Sequence, residues 1–129
     1  MHRVLLAEDN KINQVVAAGA LKKLGYEVDI VEDGAHAVQA CAEVAYDAVL
    51  MDVMMPGVDG YQATALIREH ERSLGLPPLP VIGLSARAMA GDREIALEAG
   101  MNDYLTKPLR TADLQDALER WIAAGTIAV

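Results

Sequence analysis

Asp47-Ala48-Val49-Leu50-Met51-Asp52-Val53-Met54-Met55-Pro56-Gly57-Val58-Asp59-Gly60 runs an unbroken apolar segment into an acid and then into a turn. Ala48 to Met51 shows no polar alternation, the pattern of a strand buried on both faces in the middle of a parallel sheet. Pro56-Gly57 stops it. Asp52 therefore stands where a central strand gives way to its loop, at the carboxyl edge where open α/β folds place their ligand sites.

Working outward, strand-like and helix-like runs alternate five times with no Ser/Gly-rich linker between them. Val4–Ala7 is the first strand, and a helix follows from about Lys11 to Leu24 with Val15, Val16, Gly19 and Leu24 on one face and Gly25 as its stop. Val28–Val31 is a weaker, more alternating strand of edge type. Asp33 caps a second helix to about Ala45, and Ala48–Met51 is the third strand. A third helix starts near Asp59-Gly60, runs through Ala63, Leu66 and Ile67 to Arg72, and is ended by Gly75 and the prolines 77, 78 and 80. Pro80–Leu84, a short helix Asp92–Ala99, a brief strand Asp103–Leu105 and a last helix capped by Thr111 complete the pattern. Leu114, Leu118, Trp121 and Ile122 of that last helix fall on one stripe. Residues 1–123 read as one domain and 124–129 as a tail or linker remnant.

Strands alternating with helices imply parallel, right-handed crossovers, so the helices cover both faces of one sheet and every strand ends on the same edge. Glu8, Asp9 and Asn10, then Asp52, then Ser85 and Ala86, then Lys107-Pro108 become neighbours there. Three carboxylates converging within about 4–6 Å repel by several kcal/mol at an effective dielectric of roughly 20, so the cluster must protonate or hold a cation. Glu8, Asp9 and Asp52 offer only hard oxygen ligands, which suit Mg²⁺. A phosphoryl group on Asp52 would add negative charge and acceptor oxygens, and the Lys107 ammonium and Ser85 hydroxyl would supply partners. A carboxylate is a competent nucleophile for phosphoryl transfer and needs no activating base.

Composition sets the limits. The 129 residues carry 11 Lys and Arg against 19 Asp and Glu, for a net charge of −8. No basic cluster exceeds Lys22-Lys23, which argues against direct nucleic-acid binding. The apolar runs are too short for membrane insertion and no signal-like segment leads the chain, so a cytoplasmic protein is expected. The lone Cys41 reads as a packed thiol. His2, His36 and His70 lack the spacing of a metal site, and Arg68-Glu69-His70-Glu71-Arg72 reads as a solvated helix face.

Leu6-Ala7-Glu8-Asp9-Asn10, Leu50-Met51-Asp52-Val53-Met54-Met55-Pro56, Asp59-Gly60, Gly83-Leu84-Ser85-Ala86 and residues Ala99 to Pro108, taken in that order, resemble a receiver domain of the two-component response-regulator family over essentially the whole chain. Residues 8–14 and Ala86-Arg87-Ala88-Met89 further resemble receivers of hybrid histidine kinases. The resemblance implies a doubly wound (βα)5 fold of flavodoxin-like type with strand order 2-1-3-4-5. It implies Asp52 as phosphoacceptor, and Mg²⁺ held by Glu8, Asp9, Asp52 and the Met54 carbonyl. Ser85 and Tyr104 would be the switch pair, and Lys107 would bind the phosphoryl group ahead of a cis Pro108 bond. The implied partner is a histidine kinase or a histidine phosphotransfer protein, with weak homodimerisation as a further contact. Glu8 stands where many members have Asp, lengthening one ligand arm. Met54 and Arg87 occupy the two positions that tune access of water. A Mg²⁺-dependent phosphatase with an aspartyl-phosphate intermediate is the enzymatic alternative. It lacks a second acid two residues past the nucleophile, where Met54 stands. A phosphorylation-independent interaction module is the other alternative.

Overall fold

A computed structural model describes residues 2–86 and 91–127, with side chains of the last helix described as far as Ile122. Arg87, Ala88 and Met89 lie outside the described residues, as do the last two residues of the chain. The elements are β1 (Arg3–Ala7), α1 (Lys11–Lys23), β2 (Glu27–Val31), α2 (Gly34–Glu43), β3 (Ala48–Asp52), α3 (Gly60–Leu74), β4 (Val81–Ser85), α4 (Asp92–Ala99), β5 (Asp103–Thr106) and α5 (Thr111–Ile127). The five strands are parallel in the order β2-β1-β3-β4-β5, the doubly wound arrangement expected from the sequence. Val4 pairs with Ala48, Asp52 with Leu84, and Ser85 with Thr106, so the carboxyl ends of β1, β3, β4 and β5 stay level.

Alternation along the strands divides the core in two. Val4, Leu6, Leu50, Ile82 and Leu84 face α1 and α5, packing against Ala17, Ala18, Leu21, Leu114 and Leu118. Leu5, Ala7, Val49, Met51 and Val81 face the opposite way, onto Ala37 of α2, Ala63 and Ile67 of α3, and Ala96 of α4. β3 is buried at all five positions, whereas β2, on the edge, has no buried residue.

Side-chain caps start the helices where the sequence changes period. Asn10 Oδ1 accepts from the Asn13 N–H at 3.0 Å and Asp33 Oδ1 from the His36 N–H at 2.8 Å. Asp59 and Gln62 form a reciprocal box at the head of α3. At α5, however, Thr111 is already helical, and the Leu114 N–H bonds to the Arg110 carbonyl, which puts the cap one residue earlier than expected. The backbone of α5 also continues to Ile127, through the first residues of the stretch read as a tail.

Two further expectations are corrected. The buried face of α1 is Gln14, Ala17, Ala18 and Leu21, while Val15 and Val16 are 74% and 55% exposed. Small residues let this helix lie close to β1, and Gln14 is drawn inward because its amide donates to the Glu8 carbonyl at 2.7 Å. The charged end of α3 is not simply a solvated face. Glu71 is buried, accepting from Arg68 Nη1 at 2.8 Å and from the Leu79 N–H at 2.7 Å. Cys41 is a half-buried thiol beside this pair, and burial, with Glu71 adding to it, pushes its pKa up to about 12.

Gly60 positions the site directly. Its N–H donates to the Val53 carbonyl at 3.1 Å, and a Cβ there would run into the Asp52 carbonyl oxygen and the Val53 Cα. α3 can thus start only against the strand end that carries Asp52. Because the obstruction is backbone, no rotamer relieves it, and Gly60→Ala is expected to cost about 1–3 kcal/mol. An unchanged midpoint in urea unfolding would refute that contact.

Candidate functional site

Glu8 follows the last residue of β1, and its N–H continues the ladder to the Val31 carbonyl at 3.0 Å. The turn that leads into α1 folds the side chain back into the protein. Glu8 is 1% exposed, and its Oε2 accepts from the Asn10 N–H at 3.2 Å. Asp9 points to solvent. Asp52 closes β3 at 4% exposure, with Oδ1 accepting from the Met54 N–H at 3.2 Å. Ser85 is buried at the end of β4, and its carbonyl accepts from the Lys107 N–H at 2.7 Å. That bond delivers Lys107 to the cluster, and the Lys107–Pro108 peptide that follows is cis.

Lys107 Nζ lies 2.7 Å from Glu8 Oε1 and 3.1 Å from Asp52 Oδ2. Burial alone pulls the ammonium's pKa down, but the hydrogen bonds to Glu8 and Asp52 and their charges outweigh it, so the net shift is upward. The group stays a cation throughout the physiological range.

Glu8, Asp9 and Asp52 each present a carboxylate oxygen within 4.8 Å of the others. At that spacing a pair of like charges repels by about 3 kcal/mol at an effective dielectric of roughly 20. Three carboxylates against one ammonium leave two negative charges, the complement of one divalent cation. An all-oxygen donor set with one ligand open to solvent fits Mg²⁺, which keeps part of its water shell.

The structure thus brings together Glu8, Asp9, Asp52 and Lys107, with Ser85 on the adjoining strand end. Tyr104 sits farther from the edge, opposite Gly83, half-buried on the α3 and α4 side of the sheet. Its ring fits because Gly83 has no side chain: a Cβ there would come within 3.3 Å of Tyr104 Cδ1. The Met54 side chain is 72% exposed beside the cluster. Gln14 was missed by sequence reasoning, and its place three residues inside α1 carries no signal that it would turn inward to hold the Glu8 carbonyl.

The charge count predicts a response to metal. Mg²⁺ at about ten times its Kd should raise the melting temperature by about 3–6 °C, and matched ionic strength from NaCl should not. A melting temperature indifferent to Mg²⁺ would rule out the cation site.

Residues 4–119 match the response regulator receiver domain. The sensor protein GacS of Pseudomonas syringae pv. syringae is 44% identical over 119 residues, which is 92% of this chain and 13% of that protein. Hybrid signal transduction histidine kinase I of Dictyostelium discoideum is 39% identical over 125 residues, 93% of this chain and 7% of that protein. The chain therefore spans a small fraction of these relatives. The receiver domain of sensor histidine kinase PA1611 from Pseudomonas aeruginosa, solved with a magnesium ion coordinated in its active site cleft, is 48% identical. It matches with a TM-score of 0.85 over 95% of this chain and 98% of that one. A chain of the co-crystal structure of the Saccharomyces cerevisiae phosphotransfer protein Ypd1 with the receiver domain of Ssk1 is 30% identical, with a TM-score of 0.90 over 96% of this chain and 90% of that one. With the acidic pocket, the lysine and the strand order all in place, the chain belongs to the response regulator receiver domain family.

Proposed function

We propose that this domain is the phosphoacceptor switch of a two-component phosphorelay, taking a phosphoryl group onto Asp52 from a phosphohistidine on a histidine kinase or a histidine phosphotransfer protein. The observation that carries this reading is Asp52 itself, nearly sealed from water yet flanked by two further carboxylates and a lysine ammonium.

An Asp52 carboxylate oxygen attacks phosphorus while the phosphorus–nitrogen bond to the donor imidazole breaks. The electron pair stays on the ring nitrogen, which takes up a proton, and Asp52 becomes an acyl phosphate. Mg²⁺ held by Glu8, Asp9, Asp52 and the Met54 carbonyl would neutralise charge that builds up on the transferring group. Lys107 exchanges its contact with Asp52 for a phosphoryl oxygen, and the Ser85 hydroxyl donates to another. Hydrolysis repeats the displacement with water as nucleophile, past Met54. Ser85 moving inward draws on the β4 end, and Tyr104, whose ring lies beside Gly83, shifts with it, which reshapes the face formed by α4, β5 and α5.

The outward face of α1 supports a docking role. Ile12, Val15 and Val16 are 75%, 74% and 55% exposed. Val16 also lines a cleft of about 130 Å³ with Glu8, Lys107, Pro108 and Leu109, so apolar contact area adjoins the Glu8 and Lys107 side of the acidic cluster. Such area beside a charged centre fits a helical partner that presents its histidine from an apolar surface. No helix among the described residues is long and apolar enough to cross a membrane. The unpaired Cys41 thiol fits a reducing compartment, and we place the domain in the cytoplasm. A phosphatase acting on free phosphate esters is disfavoured because Met54 cannot protonate a leaving group.

With Mg²⁺ and acetyl phosphate, the wild type should gain one phosphoryl group by intact mass and Asp52→Asn should gain none; equal labelling of both would overturn the assignment. Ile12→Asp combined with Val15→Asp should slow transfer from a phosphohistidine protein at least about tenfold while acetyl phosphate labelling is unchanged. Equal loss with both donors would locate the defect in the site instead of the docking face.

A further inference from the structure

The buried face of α1 carries one polar side chain, Gln14, in the company of Ala17, Ala18 and Leu21. An amide on the core side of a helix is stable where its hydrogen bonds are met, so its partners define its role. Gln14 Nε2 donates to the Glu8 carbonyl at 2.7 Å.

That bond closes a ring. Glu8 Oε2 accepts from the Asn10 N–H at 3.2 Å, the Asn10 carbonyl accepts from the Gln14 N–H at 2.9 Å, and the Gln14 side chain returns to the Glu8 carbonyl. Asp9 lies within the ring, between Glu8 and Asn10. The carbonyl that Gln14 holds belongs to the peptide joining Glu8 to Asp9, two of the three acids whose oxygens gather within 4.8 Å. A peptide is planar, so fixing its oxygen restrains the torsions on either side, ψ of Glu8 and φ of Asp9. One amide therefore governs the direction in which both carboxylates leave the backbone.

Each acid depends on this hold. A glutamate has one more side-chain torsion than an aspartate, and its carboxylate stays aimed only if its stem starts from a fixed point. The Glu8 N–H is held by the Val31 carbonyl at 3.0 Å and its carbonyl by Gln14, so the Cα is clamped from both sides. Asp9 projects into solvent, where packing does not guide it, and takes its aim from the backbone. The same amide also bears on Glu32, just past β2. The Lys11 ammonium, 2.8 Å from Glu32 Oε1, holds that carboxyl below the usual carboxylate range, and Gln14 adds to the effect.

We propose that Gln14 is the positioning residue of the cation site: by holding the Glu8–Asp9 peptide it sets the ligand geometry, and through that geometry the preference of the site for Mg²⁺ over Ca²⁺. The inference rests on the cation binding that the proposed function assigns to Glu8, Asp9 and Asp52. Mg²⁺ demands near-octahedral oxygens at about 2.0–2.1 Å, whereas Ca²⁺ accepts them at about 2.3–2.6 Å in looser arrangements. Freeing the two acids therefore weakens Mg²⁺ more than Ca²⁺, while a change of charge or of overall stability weakens both ions alike.

Three variants of Gln14 and one control test this, with Kd for each ion read from the amide shifts of Asn10 and Val53. Gln14→Met keeps the length and removes the donor, and Gln14→Ser is too short to reach and leaves the carbonyl to water. Both should raise the Kd for Mg²⁺ about tenfold and that for Ca²⁺ less than about threefold, so that the selectivity ratio falls. Gln14→Lys keeps a donor; its added charge should weaken both ions together and leave the ratio at the wild-type value. Ala18→Gly loosens α1 on the same buried face, one turn further on, and should leave the ratio unchanged. The ratio is read on the folded protein, so lowered stability does not obscure it. An unchanged ratio in Gln14→Met and Gln14→Ser would overturn the positioning role, as would an equal fall in Gln14→Lys or Ala18→Gly. Absence of Mg²⁺ binding in the wild type would instead end the cation reading, and the positioning role with it.

Discussion

Two carboxylates, Glu8 and Asp52, end neighbouring strands almost wholly out of water, and the Lys107 ammonium between them makes that arrangement tolerable. Sealing a carboxylate without a partner costs several kcal/mol, and breaking a buried pair by removing one side is correspondingly severe. Much of the local architecture follows from keeping these three groups together. The bond from the Lys107 N–H to the Ser85 carbonyl holds the β5 end beside β4, Gln14 holds the Glu8 carbonyl, and Gly60 lets α3 begin against the Asp52 backbone. The lysine covers only part of the negative charge, and the remainder is the complement of a divalent cation.

The fold was legible because its signals are local and repeated. Unbroken apolar runs mark the central strands, Asp33 and Asp59 mark helix starts, and Gly75 and Gly100 mark helix ends at positive φ. A parallel sheet then brings the strand ends together whatever the sequence between them. That is why the sequence pattern alone groups Glu8, Asp52, Ser85 and Lys107, dispersed over the chain, at one edge. The strand order came from the family resemblance, since periodicity does not distinguish it from other right-handed arrangements.

What the sequence hid depends on which neighbour a helix meets. Hydrophobicity assigns Val15 and Val16 of α1 to the core, yet close approach to β1 favours Ala17 and Ala18 and turns the branched residues outward. The charged run at the end of α3 has the composition of a solvated face. Its Glu71 is buried and its Arg68 half-buried, because Leu79 in the proline-rich connection to β4 offers its N–H to the one and its carbonyl to the other. Both misreadings share one cause: which side chains of a helix are buried depends on the neighbour it packs against, and a helical pattern carries no record of that neighbour.

The outward apolar face of α1 bears on how such domains diversify. The residues that would meet a partner, Ile12, Val15 and Val16, are separate from those that fasten the helix, Gln14, Ala17, Ala18 and Leu21. Drift in the first set changes who is recognised without loosening the second. A genome that carries many paralogous sensors can therefore insulate one signalling line from another by substitutions on a single helix surface, while the buried chemistry of the strand ends is inherited unchanged.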